Sequence, residues 1–305
     1  MRKIIITLLV FTLSIGLSIG CTGQNGISTQ DKINSKKIGM IVSTLNNPFF
    51  IALKAGAEAE SVALGYDLVL LDSQNDLKKE AMNMEALIKM GIGIILINPC
   101  DAQLSSHTVK MANTAGIPVI TLDRATDTGE VVSHIASDNV KGGAMAADFM
   151  DRKLSGTGNI VVLEGIKGTS AAIDRSKGFI DGLGAYLELK IIHSESASFD
   201  RAMGLSVMEE VLKNYSDIHA VFAQNDEMAL GAIQAISTRG NAILVVGFDG
   251  IPDAIVAVNE GEMAATIAQQ PDQIGVLGID VADQYFKGQK INKSILVDLK
   301  LIEKE

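Results

Sequence analysis

From Ile38 onward, short continuous apolar runs alternate with amphipathic segments, and this alternation constrains the fold more than any other feature. The runs are Ile38–Val42, Leu68–Leu71, Gly93–Ile97, Pro118–Thr121 and Ile135–Ser137, then Ile160–Leu163, Lys190–His193, Ala220–Phe222, Leu244–Gly247 and Ala265–Ala268. Between them, 49–63, 78–90, 105–115, 142–153, 175–186, 202–212, 227–237 and 273–286 carry apolar residues at helical spacing. A strand that is apolar on both faces must be covered on both, so the pattern predicts parallel sheets sandwiched between helices. Roughly ten βα units exceed one ordinary open sheet, and two Rossmann-like lobes are expected. Gly65, Gly116, Gly240 and Gly288 stand where helices should stop. A last apolar run, Ile295–Asp298, could complete either lobe.

The N-terminus precedes this rhythm. Arg2 and Lys3 form a basic start, Ile4–Ile19 is apolar, and Gly20-Cys21 follows. An apolar stretch shorter than the ~20 residues of a membrane span, with small residues at its end, reads as a signal peptide over residues 1–20. Cys21 after a small residue fits lipidation in the manner of a bacterial lipoprotein, although Ser18 stands where such signals usually have Leu. Residues 21–36, rich in Gly, Asn, Gln, Ser and Thr, read as a flexible lipidated tether. Export to the cell envelope, lipid-anchored or periplasmic, is the corresponding expectation. The formal charge of −10 argues against nucleic acid, which needs a basic face.

Polar residues gather where the strands should end, and in open α/β sheets ligands bind at that edge. Asn98 follows Ile94–Ile97, Asp123 and Arg124 follow Val119–Leu122, Asn225 and Asp226 follow Ala220–Ala223, Asp249 follows Val245–Phe248, and Gln269 follows Thr266–Ala268. Each alone could equally be a helix cap or turn former. Asp226 and Asp272, each just before a helix, read as caps. Arg175, early in a helix after the loop holding Gly165 and Gly168, opposes the helix dipole, which favours acids there. A ligand role would explain it; a surface pair with Asp174 or Asp181 is the alternative. After the first strand, Ser43–Phe50 offers Asn47, Pro48, Phe49 and Phe50 but no glycine. A glycine-free turn is ill suited to wrapping a pyrophosphate. An amide beside aromatic rings suits a ligand with hydroxyls and flat C–H faces, which describes a sugar.

Signatures of catalysis are missing. No G-x-G-x-x-G, Walker lysine motif, H-E-x-x-H or G-x-S-x-G is present. His107, His134, His193 and His219 are scattered without metal-ligand spacing, and no D-x-[DN]-x-[DN]-G calcium loop occurs. No metal, no cofactor and no enzyme activity are expected. Cys100 reads as a small apolar filler.

Taken together, the runs Val42–Phe50, Leu71–Asn75, Ile97–Pro99, Ile117–Arg124, Val131–Asn139, Phe222–Gly231, Val246–Gly250 and Ala265–Gln269 closely resemble the ribose-binding proteins of bacterial ABC sugar transporters. The resemblance covers Ile38 to Leu301. It implies the type I periplasmic binding protein fold: two α/β lobes with parallel sheets, joined by a three-crossover hinge. Residues 37–137 with 270–298 would form one lobe, and 138–269 with 299–305 the other. D-ribose, or a similar neutral monosaccharide, would bind between closing lobes and pass to an ABC permease. The resemblance also implies a monomer and leaves open a chemoreceptor as a further partner. Carried over by position, the ligand residues are Asn47, Phe49, Phe50, Asn98, Asp123 and Arg124 from one lobe. Arg175, Phe199, Asn225 and Asp249 come from the other, with Gln269 near a crossover. Asp123 and Asp249 offset Arg124 and Arg175, a balance that suits a neutral ligand, and the arginines should keep both acids ionised.

A sugar-responsive transcription regulator with the same two lobes would need a helix-turn-helix where the signal peptide stands. A sugar-modifying enzyme would need one of the two acids held protonated.

Overall fold

In the computed structural model, described for residues 37–186, 188–237 and 243–304, the strands form two six-stranded sheets. The first holds β1 (Lys37–Val42), β2 (Asp67–Asp72), β3 (Ile94–Ile97), β4 (Val119–Leu122), β5 (Ser133–Ser137) and β11 (Ser294–Val297), in the order β11-β5-β4-β3-β1-β2. The second holds β6 (Thr157–Glu164), β7 (Glu188–Ser196), β8 (Ala220–Ala223), β9 (Leu244–Asp249), β10 (Ala265–Ala268) and β12 (Lys300–Glu303), in the order β12-β10-β9-β8-β6-β7. All pairings are parallel except β10 with β12, which is antiparallel. This is the α/β architecture that the apolar runs imply. The signal peptide, Cys21, the tether and the stop at Gly240 lie outside the described residues.

The helices are α1 (Pro48–Leu64), α2 (Leu77–Lys89), α3 (Ser105–Thr114), α4 (Asn139–Leu154), α5 (Ser170–Leu183), α6 (Arg201–Asn214), α7 (Asp226–Ser237), α8 (Pro252–Glu260) and α9 (Pro271–Phe286). They cover both faces of each sheet, so each lobe has two apolar layers. Met40, Leu96 and Ile120 pack towards α1 and α9, while Ile41, Ile95 and Ile97 pack towards α2 and α3. The second sheet is likewise buried between α4 with α5 on one face and α6 with α7 on the other. That explains strands apolar at every position.

The chain passes between the sheets three times, after β5, after β10 and between β11 and β12. In each sheet the strand order reverses beside the first strand, between β1 and β3 and between β6 and β8. The crevices at those switch points face the same cleft, because both sheets turn their carboxyl ends towards it.

Several local expectations are corrected. Helix α8 has no counterpart among the expected helices; it is short and opens on Pro252. Strand β12 is also new, because its short, partly buried and polar-flanked sequence carries little of a buried strand's pattern. Asp226 does not cap α7: the side-chain Oδ1 of Asn225 accepts the Met228 N–H at 3.0 Å instead. Asp272 lies inside the first turn of α9, whose cap position, Gln270, makes no side-chain capping bond. Arg175 lies beyond the first turn of α5, whose cap is Thr169.

Candidate functional site

The loop after β1 turns immediately into α1, and Asn47 makes that turn. Its Oδ1 accepts the Phe49 N–H at 2.9 Å, and Pro48 fills the first helical position, where its missing N–H costs nothing. The amide nitrogen of Asn47 is then the group left to face the cleft. Phe49 and Phe50 stand edge to face, with centroids 5.1 Å apart.

Below them, Asn98 at the end of β3 is fully buried. Its Nδ2 donates to Leu122 O and to Asp123 Oδ2, both at 3.0 Å, and its Oδ1 accepts the Ser43 N–H at 3.3 Å. Asp123 has φ +59°, which swings its carboxyl group towards the cleft. Arg124 Nε lies 3.9 Å from that carboxylate, and the guanidinium sits between the Phe50 ring, at 5.3 Å, and the Phe199 ring, at 5.5 Å. Phe50 belongs to one lobe and Phe199 to the other, so Arg124 is clasped across the cleft.

In the second lobe Arg175 is 3% exposed. Its Nε donates to Asn139 Oδ1 at 2.8 Å, and its Nη1 donates to Gln224 O and approaches Asp249 Oδ1 at 3.5 Å. Neither Asp174 nor Asp181 is its partner; Asp181 pairs with the exposed Lys177. The close approach of α4 and α5 makes this reach possible. A Cβ on Gly143 would meet Arg175 O at 2.3 Å, and one on Gly178 would meet Val140 O at 1.9 Å. The guanidinium also lies over the Phe248 ring at 3.8 Å. Asn225 Nδ2 donates to Phe199 O at 3.2 Å, and Gln269 Nε2 donates to Asp249 Oδ1 at 2.8 Å. Phe199 itself packs against Gly165, where a Cβ would come within 2.0 Å of the ring.

These residues close around a cavity with about 250 Å³ of empty space, lined by Asn47, Phe49, Phe50, Asp123, Arg124, Ala171, Arg175, Phe199, Asn225, Asp249 and Gln269. All the candidate ligand residues line it except Asn98, which lies behind Asp123 and orients it. Ala171 also lines it, and Asn139 and Gln224 hold Arg175 from behind. No pattern in the sequence singles out Ala171; the adjacency of Gln224 to Asn225 was the one available signal for the support layer.

Three buried polar atoms of the lining have no hydrogen-bond partner: Asp123 Oδ1, Arg124 Nε and Gln269 Oε1. They comprise a carboxylate acceptor, an amide acceptor and a charged donor. Buried polar groups are normally satisfied. Hydroxyl groups, which both donate and accept, could complete all of them.

Burial works against the expectation that the arginines keep both acids ionised. Burial pushes Asp249 up to about 7, against the opposing pull of Arg175 and Gln269. Burial also raises Asp123, with Arg124 opposing, and Asp226 is raised well above its ordinary value by burial and the nearby Asp249. Desolvation in turn lowers both arginines, although Asp123 and Asp249 oppose this. The physical reason is distance: ion pairs at 3.5 and 3.9 Å are too long to offset the loss of water around both partners. Cys100 is buried, and its thiol is raised by burial and by the neighbouring Glu80, which makes it inert. Among the described residues no cluster of His, Cys, Asp and Glu could hold a metal ion.

A model of the periplasmic binding protein domain matches residues 38–290. The ribose import binding protein of Escherichia coli (strain K12) is 52% identical over 269 residues, covering 88% of this chain and 90% of that protein. Its counterpart from Haemophilus influenzae is 48% identical over 290 residues, covering 95% of this chain and 97% of that protein. Among solved structures, an ABC transporter periplasmic solute binding protein from Actinobacillus succinogenes with bound D-allose superposes with a TM-score of 0.83. It is 30% identical and covers 88% of this chain and 97% of that one. The chain belongs to the periplasmic binding protein family.

Proposed function

We propose that this periplasmic binding protein captures D-ribose between its two lobes and delivers it to an ABC importer. One observation carries the reading: a small cavity walled by Phe49, Phe50 and Phe199 leaves two acceptors and one charged donor unpaired. Ring C–H faces can stack on the phenylalanines, and hydroxyls can bridge carboxylate and guanidinium groups through charge-assisted hydrogen bonds. The identity to the ribose import binding proteins supports ribose among the neutral sugars.

In this reading Asn47, Phe49, Phe50, Asp123, Arg124, Arg175, Phe199, Asn225, Asp249 and Gln269 touch the sugar, and Asn98 acts through Asp123. Residues 37–137 with 270–298 and residues 138–269 with 299–305 move as the two lobes. The protein works as a monomer without cofactor and performs no chemistry on its ligand; its relatives are named as import binding proteins. It is exported, and Cys21 carries a lipid that anchors the tether to the membrane. Among the described residues no helix is long and apolar enough to cross a membrane, so in this reading that anchor is the membrane attachment. A permease is its partner, and a chemoreceptor is a further candidate.

A second reading keeps the class and changes the sugar. The structural relative at 30% identity holds D-allose, so the fold accommodates other neutral sugars. Calorimetric titration of the ligand-free domain from Lys37 onward with a panel of neutral sugars separates the two. Tight binding of ribose is expected; clear binding of another sugar with none of ribose overturns the specificity and leaves the class.

A further inference from the structure

We propose that Ala102, Ala125, Gly168 and Ser170 form a latch that sets ligand affinity without touching the ligand. The Ala102 N–H donates to Gly168 O at 2.8 Å, and the Ala125 N–H donates to Ser170 Oγ at 2.8 Å. Ala102 and Ala125 lie in the loops that follow β3 and β4. Gly168 precedes α5 and Ser170 opens it. Both bonds therefore join the two lobes directly. None of the four residues lines the cavity.

Each half of the latch is braced. Ala102 O accepts the Asp127 N–H at 2.8 Å, which ties the two first-lobe loops together. Asp101 Oδ1 accepts the N–H groups of Gln103 at 2.9 Å and Leu104 at 2.7 Å, and the Asp101 N–H donates to Ser105 Oγ at 3.2 Å. Across the cleft, Thr169 Oγ1 donates to Ile166 O at 2.9 Å and caps α5 through the Ala172 N–H at 3.3 Å. The loops meet without slack. Gly168 has φ +90°, and a Cβ there would lie 2.0 Å from Asp101 Oδ2.

The placement gives the latch its consequence. Ala125 directly follows Arg124, and Ser170 opens the helix that carries Arg175. The Ala125–Ser170 bond therefore holds together the two segments whose guanidinium groups face each other across the cavity. Rotation of the lobes about the crossovers breaks both bonds, so they contribute only to the closed state. A group that stabilises only the closed state raises affinity in proportion to the closed population it adds.

The inference rests on the pocket binding a neutral sugar, and one experiment separates its failure from failure of that reading. Ribose affinity by calorimetry, release rate by stopped flow and the thermal midpoint without ligand are compared for wild type, Ser170→Ala and Ser170→Thr. Loss of one neutral hydrogen bond should weaken affinity about three- to tenfold in Ser170→Ala. The change should appear mainly as faster release. Ser170→Thr, which keeps the hydroxyl acceptor, should restore wild-type affinity. The ligand-free midpoint should not move, because the open state lacks the bond. Wild-type affinity in Ser170→Ala overturns the latch, as does an equal fall of the midpoint with and without ligand. Failure of wild type to bind any neutral sugar overturns the pocket reading and the latch with it.

Discussion

Asp226 secures the backbone beside Asp249: its Oδ2 accepts the N–H of Gly250 at 2.7 Å and of Ile251 at 2.9 Å, while its Oδ1 accepts the Thr266 hydroxyl at 2.7 Å. Asp249 is thereby held at φ +118°, a conformation side-chain-bearing residues rarely adopt. The cavity's acid is aimed by a second buried acid, and Arg175 acts electrostatically on both.

Stability of the closed state should therefore fall as pH rises. Asp249 sits at about 7 when folded, against ~3.9 for an unperturbed aspartate in the unfolded chain. Between those values the folded state binds the extra proton, so the stabilising contribution is full below about 4 and is lost as pH rises through 7. Asp123 and Asp226 are raised as well and act in the same direction. Thermal melts from pH 5 to pH 8 should show a declining midpoint, and Asp249→Asn should flatten the decline. A midpoint that rises across this range contradicts the assignment.

Arg124→Ala and Arg175→Ala should each nearly abolish ribose binding in a folded domain. Removing one partner leaves a buried carboxylate uncompensated, at a cost on the order of 3–5 kcal/mol, or roughly two to four decades in dissociation constant. Lys177, exposed in the same helix and paired with Asp181, is the control. Equal affinity of Arg175→Ala and Lys177→Ala would remove Arg175 from the site.

Gly178→Ala should weaken binding from outside the cavity. Its Cβ would meet Val140 O at 1.9 Å and force α5 away from α4. Overpacking of this kind costs about 1–3 kcal/mol, and the displacement would pull Arg175 Nε off Asn139. Circular dichroism should show an intact fold with a lower melting point, and titration a weaker affinity. Unchanged ribose affinity would show that the helix spacing does not position the arginine.

Ligand should close the lobes, since Arg124 and Arg175 belong to opposite lobes and a bound sugar bridges them. Small-angle scattering should give a smaller radius of gyration at saturating ribose than without it. An identical profile in both conditions argues for a rigid module.

Cys21 should carry the lipid. Metabolic labelling with a fatty acid should mark the wild-type protein and leave Cys21→Ser unlabelled; equal labelling of both excludes the anchor.

The architecture was legible in the sequence because burial on both faces leaves a simple mark. Strands such as Ile94–Ile97 and Ala220–Ala223 are apolar at every position, and the polar residues after each run mark the sheet edge where ligands bind. Asp123, Asp249 and Gln269 could be picked out this way, residue by residue. The pattern could not say what each does there. Asn98 and Asp226 have the same sequence setting as their neighbours, yet both turn inward as supports. Which of two adjacent polar residues faces the cavity depends on dihedral angles such as φ +59° at Asp123, fixed by contacts between strands far apart in the chain. The upward shift of the acids was likewise invisible, because desolvation is a property of the closed tertiary structure. Sequence determined which chemical groups reach the cleft; only the packing of one lobe against the other decided which are buried, which remain unpaired, and which bonds hold the cleft shut.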